Sequence, residues 1–188
     1  LGDEAMARLI GFTGVKGSGK DTAAQFLVDR GFQRIAFAGK LKEAVANLFG
    51  LPTERIDPLK EMSIVSGLPV CEVILQQYNI TEYAYSMREF LQRFGTEMGR
   101  NTFGQDFWID LVLSDFPRQD TVFTDVRFDN EATRIIRFGG CVYEIVRPGY
   151  ESDGHASEEP IDRNLIEGTI QNDGSIEIFR ERILDECL

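Results

Sequence analysis

GVKGSGKDT, residues 14–22, sets Gly14 and Gly19 five positions apart and follows the second with Lys20, Asp21 and Thr22. That is the spacing of a phosphate-binding loop, in which successive backbone N–H groups turn inward around an anion. Gly14, Gly17 and Gly19 let such a backbone turn with no side chain in the way. Lys20 would add a point charge between the β and γ phosphates of a nucleotide. The strict pattern places Ser or Thr directly after the lysine, whereas here Asp21 takes that place and Thr22 comes one residue late.

The loop's surroundings match its mechanism. ARLIGFT (7–13) reads as a short buried strand, and TAAQFLVDR (22–30) as a helix with Ala23, Phe26 and Leu27 on one side. The start of that helix offers unpaired N–H groups and the positive end of its dipole. A Gly-x4-Gly-Lys match arises by chance in roughly 5% of chains of this length, and the strand-to-helix context reduces that further. Gly14, Val15, Lys16, Gly17, Ser18, Gly19, Lys20, Asp21 and Thr22 are therefore read as a phosphate seat, against the alternative of a glycine turn with a solvent lysine. Asp21 is either a Mg²⁺ ligand, direct or through water, or only a helix-start charge. Thr22 is read as a donor to phosphate.

Working outward, strands and helices alternate. QRIAFA (33–38), TVFTDVRF (121–128), GCVYEIVRPG (140–149) and EGTIQN (167–172) read as strands. KLKEAVANLFG (40–50) reads as a helix with Leu41, Ala44, Val45 and Leu48 on one face. SMREFLQRFGTEMG (86–99) opens with a Ser86/Glu89 capping box and repeats Met87, Phe90, Leu91, Phe94 and Met98 at helical spacing. DFWIDLVLSDF (106–116) reads as a buried helix through Phe107, Ile109, Leu111, Val112 and Leu113, and NEATRIIRFG (130–139) as another. SIEIFRERILDEC (175–187) is a final helix with Ile176, Phe179, Ile183 and Leu184 inward. This order predicts an α/β fold with a parallel sheet and helices on both faces. Residues 51–85 are broken by Pro52, Pro58 and Pro69; IVSGLPVCEVIL reads as either a short helix or an irregular lobe, and the region as ligand-facing.

A phosphate seat alone would serve a switch protein; a kinase also needs cations around the transferred group and an acceptor site. Arg127 and Arg147 follow strand ends, where ligands of open parallel sheets bind, and an arginine fork grips two phosphate oxygens at once. Arg88 and Arg93 lie in the 86–99 helix and Arg100 follows it. Asp125 ends a strand, the place of a carboxylate that orders Mg²⁺ and its waters; the bland reading is a helix-starting Asp. His155, the sole histidine, sits in the polar stretch 149–164 and reads as incidental.

The 31 acidic against 20 basic residues argue against a general nucleic-acid coat, which needs a dense cationic footprint. Cys71, Cys141 and Cys187 form neither metal spacing nor a disulfide framework and read as small hydrophobes in a reducing compartment. No apolar run approaches the ~18 residues of a membrane span. The opening LGDEAMARLIGF lacks the basic front and long apolar core of a secretory leader.

GVKGSGKDTAAQFL, SMREFLQRFGTEMGRNTFGQDFWIDL, FTDVRFDNEA, YEIVRPG and IQNDGSIE together resemble the bacteriophage deoxynucleoside monophosphate kinase family. The glycine loop is generic among kinases; the RxxLQxxGT helix, TDxRxxNE, the VRPG strand end and NDGS are more specific. The resemblance covers both ends and most of the chain between, leaving 51–85 hard to place. It implies a three-layer P-loop kinase fold resembling adenylate kinase: a five-stranded parallel sheet, an inserted acceptor-binding region over 51–100 and a lid-like segment over 148–165 within a single domain, 1–188. It implies transfer of the ATP γ-phosphate, with Mg²⁺, onto a deoxynucleoside monophosphate. By position, Arg88, Gln92, Arg93, Gly95 and Thr96 would lie near the acceptor, with Lys20, Asp125, Arg127 and Arg147 at the reacting phosphates. Asp21 and Asp125 would be near the metal, and Asn172, Asp173 and Gly174 near the donor base. The chain is shorter than larger phage members, which carry a longer insertion before the RxxLQ helix, so base preference stays open. The implied setting is cytoplasmic (the host's, if phage-encoded), without membrane or duplex nucleic acid and compatible with a homodimer. Two alternatives stay open. One is a P-loop kinase of another acceptor (hydroxymethyluracil in DNA, dephospho-coenzyme A or phosphomevalonate). The other is a nucleotide-dependent switch, against which stands the absence of an NKxD-type guanine motif.

Overall fold

Strand β1 (Leu9–Thr13) is buried along almost its whole length, and the reason is its position at the centre of a sheet. The computed structural model describes residues 7–60, 86–114, 118–150 and 160–188. With β2 (Gln33–Ile35), β3 (Thr121–Phe123), β4 (Cys141–Val146) and β5 (Gly168–Gln171), β1 forms a five-stranded sheet in the order β2-β3-β1-β4-β5. Every pairing is parallel, and Gly11 sits in register between Phe123 and Val142. Strands buried on both faces have no reason to alternate apolar with polar residues, which is why the sequence shows short apolar runs.

The chain divides into two compact units, Leu1–Phe37 with Leu113–Leu188, and Ala38–Val112. The first holds the sheet. On one face Phe12, Val122, Tyr143, Ile145 and Ile170 pack with Leu27 of helix α1 (Lys20–Val28) and with Phe179 and Ile183 of the C-terminal helix (Ile176–Cys187). The Phe26 and Phe179 rings meet edge-on at 5.9 Å. On the other face the helix Asp129–Arg137 comes so close that a Cβ at Gly11 would stand 2.8 Å from Ile135 Cδ1 and 2.9 Å from Val126 Cγ2. Glycine in the central strand is the condition for that approach. The expected three-layer α/β arrangement is thus observed.

The second unit contains α2 (Ala38–Leu48), a 3₁₀ turn (Thr53–Arg55), α3 (Met87–Arg93) and α4 (Phe107–Val112). The two helices of the first unit that follow are α5 (Asp129–Arg137) and α6 (Ile176–Cys187). The Ser86/Glu89 capping box forms as the sequence predicts. Val45, Ala46, Phe49, Ile56, Met87 and Leu91 form one core cluster of this unit.

Four expected inward residues turn out exposed. In α2 the buried stripe runs through Val45 and Phe49 with Leu41 partly covered, which leaves Leu48 47% exposed. Met98 is 52% exposed because α3 continues into a π-helical stretch, Phe94–Arg100, before the short helix Asn101–Phe103. There the Asn101 N–H bonds to Thr96 O, five residues back. The wider turn advances the buried face by one residue, so Gly95 and Gly99 point inward after Leu91 and Met98 does not. Leu111 is 40% exposed, and the buried side of α4 is Trp108 and Ile109. Ile176 is the first residue after the Ser175 cap and lies off the Phe179–Ile183–Cys187 stripe. Residues 61–85, with Cys71, and 151–159, with His155, lie outside the described residues. Among the described residues no helix is long and apolar enough to cross a membrane.

The π stretch needs its glycines. A Cβ at Gly99 would overlap the Trp108 indole, whose Nε1–H donates to Gly95 O at 2.8 Å in a buried position. Gly99→Ala is expected to cost about 1–3 kcal/mol through overpacking, read as a lower urea midpoint by circular dichroism with an unchanged denaturant slope.

Candidate functional site

The loop expected to seat phosphate runs from the C-terminal end of β1 into α1, and its shape is set by glycines at positive φ: Gly14 (129°), Gly17 (84°) and Gly19 (110°). At two of these the neighbouring strands also forbid a side chain. A Cβ at Gly14 would run into the Ile145 carbonyl of β4, and one at Gly19 would stand 2.5 Å from Asn172 Nδ2, just past β5. Gly19 is the N-cap of α1 in a left-handed conformation, so no side chain caps the helix start. Lys20 folds over the loop, its Nζ donating to Gly14 O at 2.6 Å and Val15 O at 2.8 Å. Ser18 is fully buried, and its Oγ has no hydrogen-bond partner among the described residues. An unmet buried hydroxyl costs about 1–3 kcal/mol. A loop that combines it with an uncapped helix start and a lysine whose Nζ donates to two of the loop's own carbonyls has the donor set of an anion seat.

The end of β5 holds this loop from outside. Asn172 Nδ2 donates to Ser18 O at 2.8 Å, while the Asn172 N–H continues the ladder to Val146 O at 2.8 Å. Asp173 accepts from Arg182 at 2.6 Å, and that bond holds its carboxyl below the usual carboxylate range. Gly174 packs against Ile178.

After β3 the chain makes the turn TDVRF. Thr124 N–H bonds to Ile35 O and Val126 N–H to Phe12 O, so the turn is stitched to the ends of β2 and β1. Asp125 is half-buried and its Oδ1 accepts from the Phe37 N–H at 2.7 Å. Arg127 is exposed, and its N–H donates to Glu131 at 2.8 Å. Glu131, only 3% exposed, also accepts from the Phe128 N–H at 3.3 Å and so fixes the backbone that carries Asp125 and Arg127. Sequence reasoning passed over Glu131. Its signal was a glutamate at the N3 position of the helix, hidden because the N-cap Phe128 has no side-chain acceptor and only the return half of a capping box, Glu131 to the Phe128 N–H, is present.

Arg147 follows β4. Its guanidinium lies 4.9 Å from the centre of the Tyr150 ring, and that ring packs against Gly17. Asp21 is directed elsewhere: it pairs with Arg34 of β2 and its side chain is 81% exposed. Among the described residues no three Asp, Glu, His or Cys side chains gather as metal ligands. Thr22 is half-buried in the first turn of α1, and Val15 and Lys16 form the outer part of the loop.

The other expected residues lie in the second unit. Arg88 and Gln92 are half-buried one turn apart on α3, and Arg93 and Thr96 are exposed. The Arg88 N–H bonds to Lys60 O at 3.0 Å. Gly95 is buried, with Leu41 3.0 Å from where its Cβ would stand and Trp108 on its carbonyl, so its place is set by packing. Cys141 and Cys187 are free thiols. Burial pushes Cys187 up to about 12 and also raises Cys141, which keeps both unreactive near neutrality.

The chain is similar to known proteins in sequence and in fold. A family model described as deoxynucleotide monophosphate kinase matches residues 56–183. A putative deoxynucleotide monophosphate kinase of Acanthamoeba polyphaga mimivirus is 35% identical over 185 residues, covering 94% of each chain. The deoxynucleotide monophosphate kinase of Enterobacteria phage T4 is 25% identical, covering 94% of this chain and 97% of its own. A crystal structure from Thermus thermophilus, 18% identical with a TM-score of 0.52 and covering 96% of both chains, shares the fold.

Glu131→Ala would leave two backbone N–H groups without their carboxylate. A loss of about 2–3 kcal/mol is expected, measured by denaturant unfolding, with Glu131→Gln losing less. At Asn172 the sign of the dipole matters: Asn172→Asp, which sets an acceptor against Ser18 O, should destabilise more than Asn172→Ala in a thermal melt.

Proposed function

The chain belongs to the deoxynucleotide monophosphate kinase family, and from that premise we propose that it transfers the γ-phosphate of ATP to a deoxynucleoside 5′-monophosphate, giving ADP and a deoxynucleoside diphosphate. The observation that carries the reading is the loop of residues 14–22, with its glycine backbone, uncapped helix start and Lys20 held over it. ATP with Mg²⁺ would supply the phosphoryl group and neutralise part of its charge. Mg²⁺ is commonly held by substrate phosphates, waters and one or two carboxylates rather than a protein cage. The donor set fits that mode, with Asp125 in the carboxylate role; Asp21, engaged by Arg34, is the weaker candidate.

The protein's own groups then have distinct tasks. Backbone N–H groups of Gly14 to Thr22 cradle the donor phosphates. Lys20 exchanges Gly14 O and Val15 O for phosphate oxygens. Arg127 and Arg147 offset the charge on the equatorial oxygens of the group in flight, and an arginine fork does this without losing its proton. Arg88, Gln92, Arg93 and Thr96 hold the acceptor, with Gly95 shaping the helix that carries them. Asn172 to Gly174 support the donor side, Asn172 by fixing the loop backbone.

An acceptor phosphate monoester needs no general base. Its second pKa lies near 6, so at neutral pH an oxygen is already available to attack phosphorus while the bond to the bridging oxygen of ADP breaks. Catalysis then reduces to positioning and charge neutralisation.

The test is release of ADP from ATP and Mg²⁺ with single deoxynucleoside and ribonucleoside monophosphates, Lys20→Ala serving as control. Strong stimulation by one or two deoxynucleotides, falling roughly a hundredfold or more in K20A, is the expected result. Only a slow, acceptor-independent background would overturn the reading. Stimulation by dephospho-coenzyme A, phosphomevalonate or hydroxymethyluracil-containing DNA instead would reassign the acceptor.

A further inference from the structure

The segment Arg147-Pro148-Gly149-Tyr150 leaves β4 as a tight turn. The Tyr150 N–H returns to Arg147 O at 3.3 Å, Gly149 has φ +80°, and Pro148 fixes its own φ near −65°. Proline at the second position and a positive φ at the third define a type II turn. Such a turn reverses the chain, and here it lays the Tyr150 ring against Gly17 of the phosphate loop. A Cβ at Gly17 would overlap ring atoms Cδ1 and Cε1, so the loop accepts the ring only because residue 17 is glycine. The same ring carries the Arg147 guanidinium at 4.9 Å, within cation–π range. Tyr150 is 45% exposed, and what is covered is covered in part by these two neighbours.

Two separate contacts of one ring therefore tie an arginine to a phosphate loop. An arginine on a flexible stem loses about 2 kcal/mol of rotamer freedom when it is fixed, and a ring that already restricts it reduces what remains to be lost on binding. We propose that Tyr150 is a positioning residue for the donor nucleotide: braced on Gly17, its ring holds the Arg147 guanidinium beside the loop for the triphosphate. This rests on the reading of residues 14–22 as the triphosphate seat and not on the identity of the acceptor.

The experiment is calorimetric titration of the full chain with ATP and Mg²⁺ in the absence of any acceptor, on wild type, Tyr150→Ala, Tyr150→Phe, Arg147→Ala and the Y150A/R147A double variant. Thermal melts verify that each is folded. Y150A is expected to weaken ATP binding about fivefold, Y150F to restore it to within about twofold, and Y150A to add nothing in the R147A background, since the ring acts through the arginine. Unchanged affinity in Y150A overturns the proposal. So does tighter binding, which would make the ring a plug over the loop. A Y150A effect that persists in R147A, or an equal loss in Y150F, overturns it as well. If Y150A does not fold, Y150F and Tyr150→Leu decide by the same criteria, leucine filling the volume without a π face. Failure of the wild type to bind ATP at all overturns both this proposal and the reading beneath it.

Discussion

The backbone of residues 14–19 has almost no steric freedom, and the arrangement around it follows from that. β4 closes on Gly14 through the Ile145 carbonyl, and the Asn172 amide just past β5 closes on Gly19 while donating to Ser18 O. A loop squeezed in this way can be lined only with glycine where the walls approach, and at those positions the polar groups it presents are backbone groups. Their direction is fixed before any ligand arrives, which is the electrostatic preorganisation on which phosphoryl transfer relies. The sheet is the support for that loop. Its central strand delivers the loop, and the two strands to one side brace it.

A second support lies on the other side of β1. The turn after β3 is bonded to both Ile35 O and Phe12 O, and a nearly buried Glu131 closes it from beneath. Burying a carboxylate is unfavourable unless its oxygens find donors. Here the donors are the N–H groups of Arg127 and Phe128, so the cost of burial is offset by the geometry it imposes. The exposed Arg127 is thereby held at its backbone. Asp21 shows the opposite arrangement, a solvent-exposed carboxylate paired to Arg34, and exposed pairs of that kind contribute little stability.

Much of this was legible in the sequence, for identifiable reasons. The glycine spacing is a local code, because each glycine answers a local φ and the helix must begin just after it. The strands declared themselves by short unalternating apolar runs, and Ser86/Glu89 by a capping box whose chemistry is confined to four residues. What escaped was non-local. Met98 follows the ordinary helical period, and only Trp108, in helix α4, shows why a π turn puts Gly99 inside in its place. Tyr150 gave no signal because its neighbour is Gly17, 133 positions earlier in the chain. Glu131 was masked by an unusual N-cap, and the pairing of Asp21 with Arg34 cannot be read from either residue's surroundings in sequence.

The order of strands in the sheet has a consequence for how the chain is made. β1 and β2 are synthesised first, yet they are not neighbours: β3 lies between them and pairs with both. The unit Ala38–Val112 is continuous in sequence and is complete before Thr121 exists. During synthesis from the N-terminus, the first two strands must therefore wait, unpaired, while some eighty residues emerge. The phosphate loop waits longer still. The carbonyl that confines Gly14 belongs to residue 145 and the amide that clasps Ser18 to residue 172, so the loop takes its final shape only after residues more than a hundred positions later have been added.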